Sequence, residues 1–89
     1  MTSLPDIQQI ESDLIRQTAS VLGMNEQNIS PQTELSSLGL DSIRLIEVLI
    51  FIEQQYGIKM MEAGLDSESL KNIVSLAARV AELKSKLDE

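Results

Sequence analysis

The stretch whose reading decides the fold is Asp41-Ser42-Ile43-Arg44-Leu45-Ile46-Glu47-Val48-Leu49-Ile50-Phe51-Ile52-Glu53-Gln54-Gln55-Tyr56. At about 100° per residue, Leu45, Val48, Leu49, Ile52 and Tyr56 fall on one side of a helix and make a complete core stripe. Asp41 or Ser42 can cap its start, and Gly57 follows its end. Ile43, Ile46 and Ile50 form a second stripe, displaced by roughly a quarter turn or more. Phe51 lies in the polar arc with Arg44, Glu47, Gln54 and Gln55. A helix on the outside of a small bundle does not need this much apolar surface. Two readings stay open: a helix sandwiched in the core with Phe51 against a loop, or an exposed recognition strip beside Ser42.

Upstream, Met24 to Leu40 is a long connection, because Asn25, Asn28, Ser30, Pro31, Ser36, Ser37 and Gly39 break any long helix. Ile29, Leu35, Leu38 and Leu40 punctuate it and are expected to pin it to the bundle. A connection of this length in a compact domain is usually functional or disordered, and the apolar anchors argue against disorder. Further upstream, Ile7, Ile10, Leu14, Ala19, Val21 and Leu22 approximate a helical stripe. Ser3, Pro5 and Asp6 read as a start signal and Gly23 as a stop, predicting a helix over Leu4 to Leu22. Downstream, Ile58 to Gly64 is a second connection and Asp66 to Lys71 a short helical turn. Ile73, Leu76, Ala77, Val80, Leu83 and Leu87 mark a final helix with Asn72 as its cap. No segment alternates as a strand would. The expected fold is all-α, a small four-helix bundle of three long helices and one short one, with a long first loop, in one domain spanning residues 1–89.

Composition narrows the function. The chain has 89 residues with no Cys and no His. Thiolate nucleophiles, His general bases, disulfides and nearly all zinc sites go with them, so the chain reads as no enzyme. Neither Asp41 nor Asp66 opens a run of oxygen ligands with calcium-loop spacing, and the helices are too short and interrupted for a coiled coil. The net charge of −7 would repel nucleic acid. It serves solubility, or a partner with a basic docking surface. No stretch approaches a membrane span, and the N-terminus lacks a secretory pattern, so the cytoplasm is the expected compartment and a monomer the expected state.

Leu38-Gly39-Leu40-Asp41-Ser42-Ile43, continued by Ile46-Glu47 and an apolar helix, resembles the phosphopantetheine attachment site of acyl carrier proteins of the freestanding type. Ile29-Ser30-Pro31-Gln32-Thr33-Glu34-Leu35 resembles the loop of that family, as do Tyr56-Gly57-Ile58 and Leu70-Lys71-Asn72-Ile73 farther on. The resemblance covers nearly the whole chain in the right order.

It implies that a phosphopantetheinyl transferase moves 4'-phosphopantetheine from coenzyme A to the Ser42 hydroxyl. The chain would then hold acyl intermediates as thioesters and present them to the acyl-loading and acyl-processing enzymes of fatty-acid, polyketide or related biosynthesis. Ser42 needs exposure there rather than activation, and a phosphodiester at a helix start is favoured by the free N–H groups and the dipole. Asp41 caps the helix or, by resemblance, helps engage the transferase and its metal. Ile43, Ile46, Glu47 and Ile50 are the expected partner-binding residues. Gly-Leu-Asp-Ser occurs twice, at Gly39 to Ser42 and at Gly64 to Ser67; only the first opens a long apolar helix, and Ser67 reads as a helix cap. Arg44, where these carriers often have an acid, Lys59-Met60-Met61 and the bulky Leu45 and Phe51 depart from the commonest pattern and leave room for a specialised carrier with its own partners. An aminoacyl or peptidyl carrier, and an unmodified helical interaction module, are the alternatives.

Overall fold

The computed structural model describes residues 7–60 and 68–87. Three α-helices form the frame: α1 over Ile7–Leu22, α2 over Ser42–Tyr56 and α3 over Ile73–Leu87. Two short 3-10 turns, Glu26–Asn28 and Leu35–Leu38, lie in the first connection. No strand occurs among the described residues; one isolated antiparallel bridge joins Glu34 to Asn72. The all-α expectation holds. The expected fourth helix is not seen: Asp66 and Ser67 lie outside the described residues, and Glu68 to Leu70 is a turn closed by a 3.4 Å bond from the Lys71 N–H to the Glu68 carbonyl. The expected start of helix one at Leu4, with Ser3 as its cap, also lies outside them.

α1 is the element on which both other long helices pack. It contributes Ile10, Leu14 and Ala19 to the core, α2 contributes Val48, Leu49 and Ile52, and α3 contributes Ile73, Leu76, Ala77 and Val80. These α2 and α3 residues recur at helical spacing, so one face of each helix leaves water together. Ile7, assigned to the α1 stripe from its spacing, is instead exposed at the first residue of α1. Asp13 and Thr18 are buried on α1 although polar.

The first connection is held down by its apolar anchors. Ile29 and Leu35 are buried, and Leu38 and Leu40 are half-buried against the core. Its backbone is also tied to the start of α3. The Leu35 N–H donates to the Lys71 carbonyl at 2.9 Å, and the Val74 N–H donates to the Pro31 carbonyl at 3.1 Å. A helix leaves its first N–H groups without intrahelical acceptors. In α3 the Pro31 carbonyl satisfies that of Val74, and the Asn72 side chain accepts that of Ser75 at 2.8 Å, as the expected cap. The connection therefore completes α3 while it carries the chain toward α2.

Candidate functional site

Leu35–Leu38 ends at Gly39, whose φ of +85° places it in the left-handed region that glycine tolerates best. No atom lies within 4 Å of the position a Cβ would take there, so backbone strain rather than crowding would oppose a side chain. The reversal at Gly39, with Leu38 and Leu40 half-buried on either side, delivers an extended Asp41 at φ −85° and ψ −179°.

Asp41 then caps α2. Its Oδ1 accepts the Arg44 N–H at 2.9 Å, and its carbonyl accepts the Leu45 N–H at 2.8 Å. Ser42 is thus the first residue of the helix rather than its cap, and it is exposed. With the N–H of Arg44 taken by the cap, those of Ser42 and Ile43 are left without intrahelical acceptors at the positive end of the helix dipole. An anion attached at Ser42 would meet donors and a favourable dipole, so the residues present fit a covalently held phosphodiester.

The two α2 stripes resolve into an inner and an outer one. Val48, Leu49 and Ile52 are buried, with Leu45 and Tyr56 half-buried. Ile43, Ile46 and Ile50 are 71%, 44% and 42% exposed. Arg44 and Glu47 are exposed, and Phe51 is half-buried against the core, so it is not a free element of the polar arc. The structure brings Ser42, Ile43, Ile46 and Ile50 onto the outer side of one helix. Ser67 lies outside the described residues.

A polar cluster that sequence reasoning missed joins α1 to the end of α2. The Tyr56 hydroxyl donates to Oδ2 of Asp13 at 2.6 Å, Gln9 donates to Oδ1 at 3.1 Å, and Arg16 pairs with the same oxygen. Burial, then the hydrogen bond to Asp13 and its negative charge, push the Tyr56 hydroxyl up from its ordinary range, against a smaller lowering by Arg16. The one available signal was a tyrosine on an apolar stripe, whose hydroxyl needs a partner when its ring is buried. The buried Thr18 hydroxyl has no hydrogen-bond partner among the described residues. Among the same residues no group of His, Cys, Asp or Glu is arranged to hold a metal, and no helix is long and apolar enough to cross a membrane.

Comparison with known proteins bears on this site. The family model described as "Phosphopantetheine attachment site" matches residues 12–80, a span that includes Ser42. Orsellinic acid synthase ArmB of Armillaria ostoyae is 44% identical over 41 residues, which is 46% of this chain and 2% of that protein. The orsellinic acid synthase of Armillaria mellea matches to the same extent, again over 2% of its length. Nodulation protein F of Rhizobium leguminosarum bv. viciae is 44% identical over 59 residues, covering 65% of this chain and 64% of that protein. The chain thus spans a small fraction of the two synthases and just under two thirds of nodulation protein F.

Proposed function

The chain belongs to the phosphopantetheine-attachment family of acyl carrier proteins, and from that premise we propose that it carries acyl intermediates on an arm attached to Ser42 and has no catalytic activity of its own. The observation that supports Ser42 most directly is its place: an exposed hydroxyl on the first residue of α2, beside the N–H groups that the Asp41 cap leaves open. The family is the site of covalently attached 4'-phosphopantetheine, whose terminal thiol holds an acyl group as a thioester.

Each residue then has a task. Ser42 supplies the hydroxyl that a phosphopantetheinyl transferase modifies. Asp41 holds the helix start in shape, and the N–H groups of Ser42 and Ile43 favour the resulting anion. Ile43, Ile46 and Ile50 offer partner enzymes an apolar strip next to the arm, with Glu47 as a charged contact at its edge. A small strip suits a carrier, because limited area keeps release fast while charge speeds encounter. Relatives named for orsellinic acid synthesis and for nodulation support a specialised biosynthetic setting for this carrier.

Incubation with coenzyme A and a broad-specificity phosphopantetheinyl transferase, followed by intact mass measurement, tests this. The unmodified chain contains no Cys, so the arm should add both its mass and a single reactive thiol. Ser42→Ala should abolish the gain and Ser67→Ala should keep it. Loss of labelling in the Ser67 variant alone, or no gain in the folded parent, overturns the assignment.

A further inference from the structure

Arg44 occupies the first turn of α2, where the helix dipole works against a cation. It is exposed, and no ion pair among the described residues engages it. The Arg16–Asp13 and Arg79–Glu82 pairs each span three residues. Glu47 stands at the same spacing from Arg44 and is not paired with it; this order, base before acid, is the poorer one on a helix. A cation at an unfavourable place, with no ion pair among the described residues, calls for a role outside the folded chain.

Its position says what that role is. Taking Ile43 as the centre of the outer strip, Ser42 lies about 100° to one side, and Glu47 and Arg44 lie about 40° and 100° to the other. An enzyme that reaches the arm at Ser42 and covers the isoleucines ends its contact at Arg44. The same geometry places Arg44 on the flank away from Ser42, since residues two apart do not face each other. The charge balance agrees. The chain as a whole carries −7, and from the Asp41 cap to Glu53 the acids Asp41, Glu47 and Glu53 surround a single cation, Arg44. Within this acidic protein the docking face places one cation at its rim, and no ion pair among the described residues engages it.

Resting on the carrier reading of Ser42, we infer that Arg44 is a specificity-determining contact on the α2 docking face, selecting partner enzymes that set a carboxylate beside their apolar cleft and disfavouring those that grip carriers through cations. Attraction at the rim raises encounter with the first class, and like-charge juxtaposition rejects the second.

The test uses the full chain and a broad-specificity phosphopantetheinyl transferase whose carrier-docking face carries cations. Arg44→Glu should lower KM for loading by about three- to tenfold, the scale of an exposed charge pair reversed from repulsive to attractive. Arg44→Gln should fall between, the change should lie in KM rather than kcat, and it should shrink at high salt. In a double-mutant cycle, changing the transferase cation nearest Arg44 to Glu should improve loading of the parent and impair loading of Arg44→Glu. Thermal unfolding checks the premise: Arg44→Glu should be at least as stable as the parent. A KM unchanged or raised in the folded Arg44→Glu chain overturns the inference, as does a marked loss of stability, which would reveal a structural partner for Arg44. Absence of loading in the parent and all variants overturns the carrier reading beneath it, an outcome distinct from loading that ignores charge.

Discussion

The hydroxyl of Tyr56 donates a 2.6 Å hydrogen bond to Oδ2 of Asp13, 43 residues away in sequence. Arg16 and Gln9 hold the other oxygen of the same carboxylate, which is 8% exposed at the residue level. The contact pins the last residue of α2 to the middle of α1. It therefore helps set the rotation of α2 about its own axis, with Val48, Leu49 and Ile52 inward and Ile43, Ile46 and Ile50 outward.

Tyr56→Phe keeps the ring and removes the donor. A hydrogen bond to a charged acceptor contributes about 1.5–3 kcal/mol, and Asp13 would retain Arg16 and Gln9. Urea unfolding should show a loss within that range. A loss below about 0.5 kcal/mol would mean that water replaces the hydroxyl without cost.

The same pair predicts an alkaline weakness. An unfolded tyrosine titrates near 10, and burial with the Asp13 contact raises the folded value above it. The protonated form is the one the fold favours. Its stabilisation is fully present below about pH 10 and is lost as pH rises toward the higher folded value. The stability difference between parent and Tyr56→Phe should stay constant from pH 7 to 9 and narrow at higher pH. Urea midpoints at each pH check this; a gap that widens above pH 10 would contradict it.

Asp41→Ala removes the cap from α2. The loss should be about 1 kcal/mol, and Asp41→Asn, which can still accept the Arg44 N–H, should recover most of it. Equal losses in the two variants would show that the charge, and not the hydrogen bond, matters at this position.

Leu49 and Ile43 test the two faces of α2 against each other. Leu49 is 5% exposed, and Leu49→Ala should cost about 2–5 kcal/mol. Ile43 is 71% exposed, and Ile43→Ala should leave stability within about 0.5 kcal/mol. Chemical denaturation of both variants is the measurement. A large loss for Ile43→Ala would place the outer strip in the core.

For docking, Ile46→Ala and Ile50→Ala should slow arm loading and acyl transfer out of proportion to their effect on folding, which should stay under about 1 kcal/mol because both residues are already partly in water. Glu47→Lys should weaken loading by a transferase whose docking face carries cations, most at low salt. Normal transfer by folded isoleucine variants would remove the strip from the functional reading.

Much of this architecture was legible from local pattern. The spacing of Val48, Leu49 and Ile52, and of Ile73, Leu76, Ala77 and Val80, specifies helices with one apolar face because neighbours on a helix are three and four residues apart. Asn72, Asp41 and Gly57 mark helix ends because capping is also a local event, made within three or four residues. The place of Ser42 at the opening of α2 follows from the same short-range rules, whereas its exposure is a property of the folded chain. Ile7 was misplaced because spacing reports a face and not whether another helix extends far enough to cover it.

The amino-acid sequence by itself determined where α2 and α3 lie, that Asn72 caps α3, that Asp41 or Ser42 caps α2, and that Ser42 stands at a helix opening behind a glycine turn. Only the tertiary structure decided which isoleucines remain outside, that Asp13 is the partner of Tyr56, and that Pro31 completes the start of α3. The physical reason is range. Helix periodicity and capping are set by residues within one turn, whereas burial and the pairing of Asp13 with Tyr56 depend on segments that meet only when the chain has folded.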